Sequence, residues 1–388
     1  MKEIHLRTDR ISSSTMDPRI IFLLLLVFSG VFAMHRVDIP DDYVPSMRPL
    51  PKDEEKPLDL ECVLILRNIV DISETKQQLT LEASFNLLWV DKNIKIWKNV
   101  TKYDGGDEKY IVMDSSYSKF IWIPDIFIDN SLDLRVPNFH TKPASIRIYD
   151  NSTIRFSKRF NFDIACHMDF ANYPVDDQTC EIKFESFSYL ASQLNMTWNQ
   201  VKSNISFPEM KLAQFKHHLH LMNYQEKNML HNKPFAGLKL LLHLERLLNF
   251  HILQTYIPSL LFVTLGYTSL FIPAEAVPGR ITLGMLTFLA LTTMNTSVKG
   301  SLPKVSYMTY MDIWVIFCLL FVFFTNLFSI IEIVLLKSGK ELVGKKFNSV
   351  CKIIIPILFV VFNAIYWPVI LTAYFADKKT ELFHHDDE

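Results

Sequence analysis

The stretch Cys166-His-Met-Asp-Phe-Ala-Asn-Tyr-Pro-Val-Asp-Asp-Gln-Thr-Cys180 encloses thirteen residues between two cysteines, with Tyr173-Pro174-Val175-Asp176 near its middle. Two cysteines this close in an exported protein normally oxidise to a disulfide. We therefore predict a bond between Cys166 and Cys180. Of the other cysteines, Cys62 has no obvious partner, and Cys318 and Cys351 lie in or beside apolar runs where we expect free thiols.

The amino-terminal residues support export. Arg19 precedes an apolar run from Ile20 to Val27, which leads to Val31-Phe32-Ala33. A positive flank, a short apolar core and a small residue at the cleavage point are typical of a secretory signal peptide. The alternative is a membrane anchor, for which the run is short. We predict that residues 1–33 form a signal peptide.

The region from Leu58 to Arg246 alternates apolar and polar residues in short runs, as in 80–85, 145–149 and 159–164. A period of two residues in short, closely spaced runs predicts a β-sandwich rather than βαβ units. Four glycosylation sequons fit an extracellular domain, and they begin at Asn99, Asn151, Asn195 and Asn204. We place this extracellular domain at residues 34–247.

Apolar residues make up 49% of the chain and concentrate after Phe250. Four apolar runs each approach the length that a helix needs to cross a bilayer; they cover 250–272, 281–298, 311–336 and 353–375. We predict a four-helix transmembrane bundle over residues 248–375. The lysine-bearing linker 337–350 is then cytoplasmic, and the tail 376–388 is extracellular, like the amino terminus.

Other functional classes find little support. The net charge of −1 gives no basic surface for nucleic acid, and no nucleotide-binding glycine loop, HExxH or GxSxG motif occurs. A membrane-anchored enzyme would leave four spans unexplained. We expect no cofactor, no metal and no catalytic residue.

The loop from Cys166 to Cys180 resembles the signature loop of the Cys-loop receptors, which are pentameric ligand-gated ion channels. Further motifs agree with that family: Trp89-Val-Asp91, Trp122-Ile-Pro-Asp125, His243-Leu-Glu-Arg246, Tyr256-Ile-Pro258, Pro278-Gly-Arg280 and Leu302-Pro303-Lys304-Val305-Ser306-Tyr307. The resemblance covers nearly the whole mature chain and points to the glycine- and GABA-gated anion channels. It implies a homo- or hetero-pentamer in the plasma membrane, with a central pore and small-molecule agonist sites between ectodomains.

The resemblance also assigns candidate ligand-binding positions. The principal face would contribute Phe127, Glu185, Ser186, Phe187, Tyr189, Tyr224 and Phe235, and the complementary face Ser84, Asn86, Ser157 and Arg159. Aromatic rings in such pockets hold cationic amines. Ser84 replaces a usual aromatic, Leu230 replaces another, and Asn86 cannot clamp a carboxylate as an arginine does. Arg159 is the candidate substitute. Because these positions depart from the family pattern, the alternative to a conducting channel subunit is a non-conducting, auxiliary, membrane-anchored binding subunit.

The second span carries many hydroxyls, which suits a helix that lines water. Thr282, Leu286, Leu289, Thr293 and Thr296 follow steps of four, three, four and three residues, so they share one helix face. Five copies of Leu286 and Leu289 would form apolar rings that close the pore by dewetting. Packing of this leucine face against neighbouring helices is the alternative.

The resemblance also suggests whether the pore selects anions or cations. Gly279 stands where cation channels carry a glutamate, and the helix amino termini beside it favour anions; Glu275 is the counter-evidence, and a cation-selective channel is the alternative. We expect Arg280 at the subunit interface or headgroup region rather than in the lumen.

The resemblance also suggests which charges couple ligand binding in the ectodomain to the pore. The candidates are the acids Asp71, Glu74, Asp176 and Asp177 against the bases Arg246, Lys299 and Lys304. Four hairpin histidines, His217, His218, His220 and His231, are candidates for binding a metal or sensing protons; the alternative is that they are bystanders on an exposed strand.

Overall fold

A computed structural model describes the backbone of residues 37–51, 56–96, 103–105, 108–137, 143–204, 212–224 and 234–384, with side chains except at 204 and 376–384. The predicted signal peptide, Asn99, Leu230 and His231 lie outside the described residues, as does the side chain of Asn204. The chain forms two compact units.

The first unit comprises the described parts of Met1–Lys52, Leu88–Ile123 and Ser145–Phe156. Its strands pair antiparallel, β1 (Val37–Asp38) with β4 (Lys95–Ile96) and β5 (Tyr110–Asp114) with β8 (Ala144–Tyr149). Two buried tryptophans, Trp89 and Trp122, meet edge to face at 5.7 Å. The Tyr43 hydroxyl donates to Asp91 over 2.8 Å and accepts from the Trp122 N–H over 3.0 Å. The Tyr43 hydroxyl thus links Asp91 of the first tryptophan motif to the backbone of Trp122 in the second.

The second unit comprises Asp53–Leu87, Pro124–Ala144 and Ser157–Glu388, and its strands form two sheets. One sheet has the order β12 (Phe215–Tyr224), β13 (Phe235–Arg246), β10 (Asp177–Leu190), β6 (Ile126–Ile128). The other runs β11 (Leu194–Trp198), β2 (Leu58–Ser73), β3 (Gln78–Val90), β9 (Thr153–Ala165), with β7 (Ser131–Arg135) also on β9. β11 lies parallel to β2, and β10 antiparallel to β13.

The two sheets of the second unit share a core of alternating apolar residues. Along β13, every second residue is buried from Ala236 to Leu244, because side chains alternate between the faces of a strand. Phe85 of β3 stacks on Phe184 of β10 at 4.9 Å, and Trp198 packs edge-on against both rings. The predicted β-sandwich is confirmed.

After the short helix α1 (Gln200–Asn204), the remaining helices follow β13. They are α2 (Leu248–His251), a π-helical turn (Ile252–Tyr256), α3 (Ile257–Thr268), a 3-10 turn (Ser269–Phe271), α4 (Val277–Gly300), α5 (Tyr310–Lys337) and α6 (Glu341–His384). In the described part of the chain, four stretches are long and apolar enough to cross a membrane: Leu248–Phe271, Val277–Gly300, Tyr310–Lys337 and Glu341–Phe375. The predicted linker 337–350 is thus mostly the first turns of α6.

Aromatic and small residues set the helix contacts. The hydroxyls of Tyr256 and Tyr366 lie 2.8 Å apart, and the Trp314 indole N–H donates to Ser259 over 2.8 Å. These bonds join the first span to α5 and α6. Gly284 of α4 is buried against α5. Helices without large side chains at a crossing approach closely, as is usual in membranes.

Candidate functional site

The signature loop is closed by the predicted disulfide, since Cys166 at the end of β9 bonds Cys180 in β10. The loop rests on the membrane helices of its own unit. The Met311 N–H, at the start of α5, donates to the Tyr173 carbonyl over 3.1 Å. The Tyr307 hydroxyl accepts from the Phe170 N–H over 2.9 Å. The Tyr173 ring packs edge-on against His251 of α2 at 5.0 Å.

A buried arginine joins the signature loop to the last strand before the membrane. Arg246 is 2% exposed and contacts Asp176 through Nε at 2.7 Å and Glu74 through Nη1 at 2.6 Å. Burial alone would lower the pKa of Arg246, but the two carboxylates outweigh burial and raise it well above its ordinary value. The guanidinium therefore stays charged and binds two chain segments to β13.

The other coupling candidates lie apart from this arginine. Lys299, at the end of α4, pairs with Asp312 of α5 at 3.0 Å rather than with an acid of the signature loop. Asp71 and Lys304 are exposed, and Asp177 begins β10, where it pairs in register with Glu245. Of the seven candidates, the structure thus brings Glu74, Asp176 and Arg246 together.

The helix α4 has two contrasting faces. Its buried residues are Arg280, Gly284, Thr287 and Leu291. The five stripe residues are all exposed in the single chain: Thr282, Leu286, Leu289, Thr293 and Thr296. Both leucines are 59% exposed. The packing alternative for the leucine face therefore does not hold within one chain.

The Arg280 side chain lies inside the helix bundle of its own chain. It is 2% exposed, and its Nη1 contacts the Glu332 carboxylate of α5 at 2.5 Å. Its Nε donates to the Ile272 carbonyl over 2.6 Å. Burial among the chain's own helices contradicts the expected subunit-interface position for the chain as folded. Glu332 was missed, although an acid deep within the apolar run of α5 is a signal that it has a buried partner.

The principal-face candidates form an open aromatic patch. Phe127 and Phe187 are 37% and 76% exposed, and their rings meet edge to face at 5.9 Å. Asp125, which our sequence analysis did not assign to this site, orders the loop beneath them, accepting from the Ser186 hydroxyl over 2.7 Å and the Ser188 N–H over 2.9 Å. Glu185 and Tyr189 are half-buried beside Ser186. These groups can offer a cation two rings and a carboxylate.

Tyr224 and Phe235 flank the capping hairpin, at the ends of β12 and β13. The Tyr224 ring is already covered by two ammonium groups, with Lys239 Nζ at 4.6 Å and Lys183 Nζ at 5.3 Å from the ring centre. The Tyr224 ring therefore makes its cation–π contacts with lysines of the same chain.

The complementary-face candidates are mostly occupied within the chain. Ser84 and Asn86 are 5% and 1% exposed. Ser84 accepts from Arg67 Nε over 2.9 Å, and Asn86 donates to the Val63 carbonyl over 3.4 Å. Arg159 is the candidate substitute for the arginine that would bind a ligand carboxylate. Its Nε donates to Glu82 over 2.8 Å. Ser157 is half-buried.

Two models of known protein families match this chain, one in each of its two regions. A family model described as "Neurotransmitter-gated ion-channel ligand binding domain" matches residues 36–248. A second, "Neurotransmitter-gated ion-channel transmembrane region", matches residues 255–339. The chain belongs to the neurotransmitter-gated ion-channel family. This is a family of ligand-gated channels and not of enzymes, and the four spans make the chain a multi-pass plasma-membrane protein with an extracellular amino-terminal domain.

One relative of this chain is the "Gamma-aminobutyric acid receptor subunit beta" of Lymnaea stagnalis. The two are 31% identical over 274 residues, which cover 69% of this chain and 54% of the relative. The chain therefore spans about half the length of this curated relative.

Three of the hairpin histidines, His217, His218 and His220, lie on β12 in the described part of the chain. Among the described residues, no group of three or more His, Cys, Asp or Glu side chains could hold an ion. His220 packs against His243 at 5.3 Å, and His218 lies opposite His243 in the strand register. Burial, with a smaller effect of His218, lowers the pKa of His217.

Proposed function

We propose that this chain is a subunit of a pentameric, ligand-gated, anion-selective channel whose pore is lined by α4. The observation that carries the proposal is the contrast between the two faces of α4. One face packs on the chain's own helices, and the other exposes leucines and threonines in a continuous stripe. Five such stripes around an axis give a water-lined path with two apolar constrictions, at Leu286 and Leu289.

Anion preference is supported at the start of α4. Gly279 is exposed, and among described residues nothing lies within 4 Å of a Cβ built on it, so the position offers room but no charge. Five helix amino termini direct partial positive charge at the same mouth. Arg280 adds little because its charge is paired with Glu332. Glu275 is exposed nearby and opposes the preference.

The agonist site is proposed at the principal-face patch of Phe127, Phe187 and Glu185. An amine held between rings and a carboxylate fits this patch. A second candidate function has its own observation: Ser84 and Asn86 are buried and Arg159 is bound to Glu82. These features favour a subunit that supplies the principal face only, within a hetero-pentamer.

Recordings from cells that express this chain alone test both candidates. Under the anion proposal, the reversal potential follows the chloride equilibrium potential when bath sodium chloride is diluted. A shift that follows sodium would overturn anion selectivity. Current only after co-expression of a related subunit would support the second candidate. As a directed check, Gly279→Glu should move selectivity toward cations, and Gly279→Ala is its uncharged control.

A further inference from the structure

The base of the pore helix is held by a single buried ion pair. Arg280 lies in the first turn of α4, which begins at Val277 with Pro278 next. The Arg280 and Glu332 side chains are 2% and 5% exposed, and Nη1 lies 2.5 Å from Oε2. The other guanidinium nitrogens donate to the carbonyls of Ile272 and Leu270, over 2.6 and 3.4 Å. The pair therefore links α4, α5 and the end of the first span.

The position is unfavourable for an isolated cation. The amino terminus of a helix carries partial positive charge, which repels a guanidinium in its first turn. Burial removes the water that would otherwise solvate the charge. The two carbonyls compensate part of this cost, and the Glu332 carboxylate supplies the full opposite charge. The contact with Glu332 therefore offsets most of the cost of placing Arg280 here.

We propose that Glu332 is a positioning residue that keeps Arg280 inside the subunit and cancels its charge at the cytoplasmic mouth of the pore. The inference rests on the proposed function for its electrical consequence, but not for the ion pair itself. If five pairs each sum to zero, the mouth's anion preference comes from the helix termini and Gly279. Glu332 lies on α5, which does not line the proposed pore. It then sets both the position of α4 and the electrostatic field at the amino terminus of α4.

The first test measures assembly and requires no current. Glu332→Gln and Arg280→Gln each leave one buried charge unpaired, and each should lower surface pentamer roughly tenfold. The double variant Arg280→Gln with Glu332→Gln should recover to within about twofold of the wild type, because neutral pairs are tolerated where single charges are not. Glu341→Gln, which breaks an exposed pair with Lys345, is the control for loss of an acid. Additive losses in the double variant would overturn the proposal.

The second test measures single-channel currents from the receptors that reach the surface. Glu332→Gln adds one uncompensated positive charge per subunit and should raise chloride conductance, whereas Arg280→Gln should lower it. The double variant should match the wild type. A double variant with strongly altered selectivity would show that Arg280 acts uncancelled, against the proposal. If neither the wild type nor any variant conducts, alone or with a related subunit, while the assembly test still shows coupling, the proposed channel function fails and the ion-pair assignment stands.

Discussion

Arg246 and Asp176 meet at two points: Nε lies 2.7 Å from Oδ1, and Nη2 lies 3.1 Å from Oδ2. This fork geometry is the strongest common arrangement of a guanidinium and a carboxylate. It fixes the signature loop to the end of β13, two residues before the first span begins at Leu248. Both side chains are buried, so neither charge has water as a substitute partner.

Replacing Asp176 with Asn should destabilise the receptor by about 3–5 kcal/mol, since it leaves a buried arginine with a single acid. Glu74→Gln should act in the same direction but more weakly, because Glu74 is more exposed. Thermal unfolding of the detergent-solubilised receptor measures the change. Asp71→Asn is the exposed control, and an Asp176→Asn melting curve that coincides with it would contradict the assignment.

Leu289→Ser should open the channel in the absence of agonist, because a hydroxyl ring no longer excludes water from the constriction. The readout is standing current at matched surface expression. Phe288→Ser is a matched control, since Phe288 is 38% exposed on the same helix but lies about 100° around it from Leu289. Equal leak in the two variants would argue against Leu289 as the gate.

Gly284→Ala should impair folding of the membrane domain. A Cβ at this position would lie 1.4 Å from Asn326 Oδ1 and 2.3 Å from its Cγ. Asn326 is held in place by a bond from its amide to the Val322 carbonyl over 3.0 Å. Overpacking of this kind costs about 1–3 kcal/mol, measured as lower yield of monodisperse pentamer. Gly279→Ala, with open space around it, should leave the yield unchanged.

Cys166→Ser should abolish surface receptor, because closing a loop of this size contributes about 3 kcal/mol. Cys351→Ser removes a free thiol of α6 and is the control. Surface biotinylation distinguishes the two variants, and normal pentamers from Cys166→Ser would refute the role of the disulfide.

Two described sequons should carry glycans. Asn151 is exposed in the turn between β8 and β9, where its side chain accepts from the Thr153 N–H over 3.0 Å. Asn195 lies on β11 and donates to Asp59 over 2.8 Å, a bond that a glycosylated amide can keep through its remaining N–H. Asn151→Gln and Asn195→Gln should each migrate faster on gels, and enzymatic deglycosylation should abolish the difference. Unchanged migration of either variant would exclude that site.

Local patterns predicted several features correctly. The disulfide followed from cysteine spacing, and the exposed face of α4 from helical periodicity at Leu286 and Leu289. Both depend on neighbours in sequence, which a pattern records. The ion pair of Arg280 with Glu332 joins residues 52 positions apart, and no pattern specifies which helices cross at those positions. The burial of Asn86 likewise depends on the neighbouring strand. Lysines between 337 and 350 indicated a short cytoplasmic linker, and they did not predict that its residues from 341 onward are helical.

The π-helical turn from Ile252 to Tyr256 has a consequence for the phase of the first span. The Ile257 N–H donates to the Ile252 carbonyl, five residues back, so the turn contains one residue more than an α-helix would. Deleting the exposed Leu253 would restore regular bonding and rotate His251 by about 100° relative to Tyr256. His251 could then no longer face Tyr173 while Tyr256 faces Tyr366. The extra residue thus sets the rotation of His251 relative to Tyr256 about the helix axis. Its deletion should uncouple the ectodomain from the membrane domain while both remain folded.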